Sequence, residues 1–212
     1  MRTRIKFCGF TRVDDVGAAA SVGADALGFI FAAGSSRRIE PAQADALIAA
    51  VPAFVTPVAL FRDHAADDIA AILARAPRML LQFHGDETPE FCASFRRPWL
   101  KAVPMGALGD AALTDFLRSF ADAGCAGFVF DSHGGAAAGG TGQVFDWSRI
   151  PHALPAPLIL AGGLMPETVA AAVRQVRPYA VDVASGIESA PGIKDHAKMR
   201  RFADEVFRVR TD

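Results

Sequence analysis

Lys6 and Cys8 stand two residues apart in the stretch Ile5-Lys6-Phe7-Cys8-Gly9. On a strand that spacing turns both side chains to one face. Gly9, which has no Cβ to clash, then lets the backbone turn sharply. The thiol therefore sits at the carboxyl end of a first strand, where α/β proteins keep their chemistry. A neighbouring ammonium favours the ionised form of a thiol, so Cys8 is a candidate base or nucleophile. The alternative for such a cysteine is a small buried hydrophobe. Lys6 itself needs a counter-charge if it faces a core. Asp182, near the middle of the last strand, supplies one wherever the first and last strands meet. A second proton-transfer group is Asp131, which ends the apolar run Gly127-Phe128-Val129-Phe130. An Asp there is either a turn residue or a general acid that faces the thiol across a cavity.

Three further groups point to an anionic ligand. Gly162-Gly163 and Ser185-Gly186-Ile187-Glu188 follow the last two apolar runs. Glycine at those strand ends lets backbone N–H groups approach a phosphate, and a short helix N-terminus adds to them. Gly139-Gly140-Thr141-Gly142 lies in a loop able to reach over the same anion. Of the adjacent Arg37 and Arg38, only one can turn inward and bind a carboxylate with its two-pronged edge. Gln82 and His84 share a face at the end of another run, and His84 lines either the pocket or the surface. The remaining histidines, His64, His133, His152 and His196, are scattered, and no metal-ligand spacing or nucleophile elbow is present.

Such groups need a scaffold that gathers strand ends. Apolar runs at residues 4–8, 26–31, 54–61, 79–83, 99–105, 127–131, 158–161 and 180–184 read as eight strands, several of them buried on both faces. Helical patterns at 13–22, 41–51, 66–75, 89–95, 111–123, 166–176 and 195–209 separate them, with a weak one at 148–152. Thr11 to Asp14 reads as a capping box. Pro41 and Pro166 open helices, and Gly124 closes one. Alternating strands and crossover helices give an α/β protein with parallel strands. Eight such pairs suit a single (β/α)8 TIM barrel over residues 1–212. An open doubly wound sheet would carry a nucleotide fingerprint after its first strand, and none is there. The low-complexity tract 134–142 is a loop in a functional place.

Composition excludes other classes. The chain has 212 residues and a formal net charge of −1, so nothing electrostatic favours nucleic acid or an acidic membrane. Cys8, Cys92 and Cys125 are odd in number, which suggests reduced thiols in a cytoplasmic protein. The amino terminus runs straight into a strand without an apolar signal segment. The longest stretch free of Asp, Glu, Lys and Arg, residues 150–166, is broken by Pro151, Pro155 and Pro157 and does not read as a membrane span.

In order along the chain, these residues resemble the phosphoribosylanthranilate isomerase family of tryptophan biosynthesis. The pieces are Lys6 to Thr11, Gly28 to Phe31 with Ser36 to Ile39, Gln82 to Asp86, and Asp131 with Gly139 to Gly142 and Phe145 to Trp147. Ala161 to Glu167, Val181 to Glu188 and Pro191 to Asp195 complete the match. The resemblance implies an Amadori rearrangement of N-(5-phosphoribosyl)anthranilate without cofactor or metal. It makes Asp131 the general acid and Cys8 the general base, and sets Arg37 on the anthranilate carboxylate. Gly140, Gly162, Gly163, His84, Asp182, Ser185 and Gly186 join it as substrate-binding residues. It implies a phosphorylated small-molecule substrate as partner and a monomer or homodimer. Cys8 should titrate nearer neutrality than a free thiol, and burial or neighbouring charge should raise the pKa of Asp131. Phe10 replaces an aliphatic residue of the family pattern, which should change packing only. The related histidine-pathway isomerase is built of two similar halves with carboxylates at both catalytic places, whereas Cys8 fills the first here. Sugar-phosphate epimerases need metal-binding His and Asp at strand ends. A barrel that only binds a sugar phosphate would tolerate loss of Cys8.

Overall fold

The computed structural model describes residues 2–131 and 146–209. Eight parallel strands close into one barrel in sequence order. They are β1 (Arg4–Cys8), β2 (Ala26–Ile30), β3 (Thr56–Phe61), β4 (Leu80–Phe83), β5 (Trp99–Pro104), β6 (Gly127–Asp131), β7 (Leu158–Leu160) and β8 (Ala180–Val183). The crossovers carry α1 (Val13–Ser21), α2 (Pro41–Ala49), α3 (Ala66–Arg75), α4 (Pro89–Ser94), α5 (Asp110–Asp122) and α6 (Val169–Val176). A two-stranded hairpin, β9 (Glu188–Ala190) and β10 (Ile193–Lys194), follows β8 and leads into α7 (His196–Arg208). β1 pairs with both β2 and β8, so the barrel is the expected TIM type.

Local sequence explains the starts of α2, α4 and α7. Pro41 opens α2, where its missing N–H costs nothing. Glu40 and Gln43 form a reciprocal capping box there, a signal the sequence reading did not use. Thr88 caps α4 by accepting from the Phe91 N–H, and Asp195 caps α7 by accepting from the N–H groups of Ala197 and Lys198. Two expected starts are corrected. Thr11 caps nothing, because its hydroxyl donates to the Gly192 carbonyl at 2.6 Å and α1 begins without a side-chain cap. Pro166 precedes its helix, since the turn around Met165 and Thr168 delays α6 to Val169. The weak pattern at 148–152 is one 3-10 turn, Trp147–Arg149.

The main core lies between barrel and helices. Phe31, Phe61, Phe83, Trp99 and Phe120 form a chain of ring contacts 5.5–6.4 Å apart around the outer face of the barrel. α7 seals the seam with Met199, Phe202, Ala203 and Val206, spaced i, i+3, i+4, i+7 on one face. Inside the barrel the apolar filling is split. Cys8, Ile30, Ala32 and Leu60 form one cluster and Leu100, Val129, Ile159, Ala161 and Ala180 another. Lys6, Gln82 and Asp182 are buried polar groups on interior-facing positions. A polar interior below the carboxyl ends of the strands is where such a barrel can hold chemistry.

Candidate active site

Cys8 closes β1 with its Sγ against β2. Cys8 and Gly28 are register partners, and a Cβ on Gly28 would stand 2.6 Å from Sγ. The thiol thus fits only because its neighbour has no side chain. Register also sets Lys6 opposite Asp182, and Lys6 Nζ donates to Asp182 Oδ2 at 2.7 Å, the pair expected from a closed barrel. Burial lowers the pKa of Lys6, but Asp182 and the Cys8 sulfur more than offset that, with a net rise. The expectation that Cys8 titrates nearer neutrality is corrected. Burial pushes the thiol up, Lys6 and Lys194 pull it down, and Asp182 pushes up again, with a net rise. The physical reason is first the burial of the sulfur, which penalises the thiolate, and then Asp182, which offsets part of the charge that Lys6 brings.

Across the mouth, Asp131 ends β6 with His84 beside it, His84 Nε2 lying 3.7 Å from Asp131 Oδ2. Gln82 Nε2 lies 3.3 Å from His84 Nδ1, so the two residues that share a face of β4 and its end are in contact. Burial lowers the pKa of His84, with Asp131 and Asp182 opposing and Lys6 assisting. Burial thus favours the neutral imidazole of His84 beside Asp131. Beneath it, Lys101 Nζ binds Glu87 Oε2 at 2.8 Å and the Gly85 carbonyl at 2.7 Å. Glu87 in turn accepts from the N–H groups of Asp63 and Gly85. This buried pair fixes the loop that carries His84. The buried Lys6–Asp182 pair acts electrostatically on both Cys8 and His84, and His84 is the neighbour of Asp131.

The ends of β7 and β8 meet at the rim. Gly162 and Gly163 adopt φ of 83° and 66°, conformations that an L side chain rarely takes. Ser185–Ile187 forms a 3-10 turn in which a Cβ on Gly186 would stand 2.0 Å from the Leu164 carbonyl oxygen. Backbone from both loops is thus in direct contact, as a phosphate cradle would need. Gly140 lies outside the described residues.

Arg37 turns inward and Arg38 outward, where it pairs with Glu40 on the surface. The stem of Arg37 lies over Gly9, where a Cβ would meet its Cδ at 2.6 Å. Its Nε and Nη2 donate to the two oxygens of Glu188 at 2.8 and 2.7 Å. Glu188 Oε1 also takes Lys194 Nζ at 2.7 Å, and Lys194 donates to the Cys8 carbonyl at 2.6 Å. Burial raises the pKa of Glu188, but Arg37 and Lys194 overcome it and hold the carboxyl below its ordinary range.

The comparisons agree with this geometry. The family model described as N-(5'phosphoribosyl)anthranilate (PRA) isomerase matches residues 5–205. The N-(5'-phosphoribosyl)anthranilate isomerase of Xanthomonas euvesicatoria is 49% identical over 212 residues, covering 98% of this chain and 95% of its own. The chain belongs to the N-(5'-phosphoribosyl)anthranilate isomerase family. Among solved isomerases of the family, the phosphoribosyl anthranilate isomerase of Thermus thermophilus superposes with a TM-score of 0.82 at 34% identity, over 98% of this chain and 100% of that one. Another, solved in complex with reduced 1-(o-carboxyphenylamino)-1-deoxyribulose 5-phosphate, gives 0.80 at 30% identity with the same coverage.

Of the residues singled out from sequence, Cys8 and Asp131 end their strands, Arg37, His84, Gly162, Gly163, Ser185 and Gly186 lie in the loops that follow β2, β4, β7 and β8, and Asp182 lies deeper, within β8. Sequence reasoning assigned no role to Gly28, Glu188 or Lys194. A signal for the last two existed, since Pro191-Gly192 between two charges is a turn signature that brings the flanking residues face to face. Lys194 and Glu188 are indeed register partners in the hairpin.

Proposed function

We propose that this chain converts N-(5'-phosphoribosyl)anthranilate into 1-(2-carboxyphenylamino)-1-deoxyribulose 5-phosphate, a step of tryptophan biosynthesis, with Asp131 as general acid and Cys8 as general base. We read residues 1–212 as one barrel domain working in the cytoplasm, as a monomer or homodimer, on a phosphorylated small molecule.

Asp131 protonates the furanose ring oxygen, and the ring opens to a protonated Schiff base. Cys8 removes the proton from the sugar C2′, and the electrons of that C–H bond flow into the iminium to give an enolamine. Tautomerisation then yields the ketone, so atoms balance without oxidant or cofactor. The burial that favours a neutral His84 supports the acid role, because an imidazolium beside Asp131 would hold it ionised. The raised thiol pKa makes Cys8 a strong base once ionised. The iminium formed by ring opening brings a positive charge that favours the thiolate when it is needed. Arg37 offers its remaining N–H edge to the anthranilate carboxylate. The loop ends at Gly162, Gly163, Ser185 and Gly186, with Gly140 from the neighbouring loop, receive the phosphate, and Asp182 faces the sugar.

The observation that carries the reading is that Cys8 ends β1 and Asp131 ends β6, so both stand at the carboxyl end of one closed parallel barrel, with His84 3.7 Å from Asp131. The experiment follows loss of substrate fluorescence with wild type, Cys8→Ala and Asp131→Asn. Each variant is expected to lose about 10²–10⁴-fold in kcat while still binding the reduced product analogue, since only transition-state contacts go. Inactive wild type, or a Cys8→Ala protein with full turnover, would overturn it.

A further inference from the structure

Arg37 is unusual for an anion-binding arginine, because a buried carboxylate already fills one edge of its guanidinium. An exposed arginine satisfied this way would have no net charge left for a ligand. Glu188, however, is shared. Its Oε1 accepts from Lys194 Nζ at 2.7 Å and from the Gly192 N–H at 3.2 Å. Lys194 is held in turn by the carbonyls of Cys8 at 2.6 Å and Ala184 at 3.3 Å, and its Nζ lies 5.5 Å from the Phe10 ring. Phe10, the one departure expected to affect packing only, thereby gives this cation an aromatic face.

The charges in this cluster do not cancel. Arg37 and Lys194 are positive and Glu188 is negative, which leaves one positive charge as long as Cys8, which acts on both cations, is a neutral thiol. The other two buried lysines are matched one to one, Lys6 by Asp182 and Lys101 by Glu87. Geometry agrees with the count. Glu188 takes the Nε and Nη2 edge of Arg37, and the Nη1 and Nη2 edge remains for a second carboxylate.

We propose that Lys194 is a specificity-determining positioning residue: by neutralising Glu188 through Oε1, the oxygen that Arg37 Nε also holds, it frees the charge of Arg37 for the carboxylate of the substrate. Glu188 sets the orientation of the guanidinium, and Lys194 removes the electrostatic cost of having Glu188 so near an anionic ligand. This inference rests on the reading of Arg37 as the contact for the anthranilate carboxylate.

The test measures dissociation constants for two ligands, reduced 1-(o-carboxyphenylamino)-1-deoxyribulose 5-phosphate and its counterpart with hydrogen in place of the ring carboxylate. The ratio of the two reports carboxylate preference and cancels general damage to the site. Arg37→Ala should lose the preference. If it does not, the reading of Arg37 fails, and this proposal with it. Given that loss, Lys194→Met should lower the preference about tenfold, the scale of a partly desolvated charge contact. Lys194→Arg should retain it. The double variant Glu188→Gln with Lys194→Met restores a single positive charge and should recover the preference to within about threefold of wild type, a rescue that a merely structural lysine cannot show. Should Lys194→Met not fold, the double variant, which lacks the unpaired buried carboxylate, is read alone against wild type. A full preference in Lys194→Met, or a lost preference in the double variant, overturns the proposal while the role of Arg37 stands.

Discussion

Gly28→Ala changes no chemical group in the active site, yet it should cripple the enzyme. The added Cβ would lie 2.6 Å from Cys8 Sγ and 3.2 Å from both Cα and Cβ of Cys8. Ordinary contact between such atoms is about 3.5–4.0 Å, so Sγ must move by about 1 Å. The backbone cannot absorb this, because β2 is pinned on both sides by β1 and β3. Overpacking of this kind costs about 1–3 kcal/mol of stability. A reacting atom displaced by about 1 Å loses about 10²-fold in rate. The assay is steady-state loss of substrate fluorescence, together with urea unfolding. We expect kcat to fall about a hundredfold with KM little changed, because the phosphate and carboxylate contacts lie elsewhere. Gly17→Ala is the control. Gly17 lies in α1 with nothing within 4 Å of the added Cβ. It should gain about 0.5–1 kcal/mol and leave kcat alone. A folded Gly28→Ala enzyme with wild-type kcat would refute the reasoning, since the sulfur's position would then not matter.

Two other perturbations follow from the same structure. Cys8 must act deprotonated, so kcat/KM should rise with pH along a limb set by the thiol, and burial places that limb above the range of a free cysteine. Lys6→Met removes the main group pulling that pKa down, and the limb should move further alkaline; a limb that stays in place refutes the electrostatic account. The variant also leaves Asp182 buried without its cation and should cost about 3–5 kcal/mol in denaturant unfolding. Lys101→Met should cost a similar amount by stranding Glu87. Replacing both partners with apolar residues should not restore full stability, because Glu87 also serves the N–H groups of Asp63 and Gly85. Urea unfolding of the single and double variants checks this, and a double variant as stable as wild type would contradict it.

What the sequence by itself determined is the alternation of eight strands with crossover helices and the identity of the groups at the strand ends. Both are local properties: apolar runs and glycine turns mark the strands, and period two sets Lys6 and Cys8 on one face. Even the Lys6–Asp182 pair was legible, because closing a barrel leaves β1 only one new neighbour. Tertiary structure alone decided the electrostatics. The Cys8 pKa rises because burial and a shared counter-ion outweigh an adjacent lysine, and burial is a sum over residues distant in sequence. The choice of Arg37 over Arg38 was legible only through the family resemblance; physically it is made by Gly9, which leaves room for its stem, and by Glu188, which lies 151 positions away in the chain. The room for the thiol likewise depends on Gly28 across a strand pair, a contact that no spacing along the chain announces.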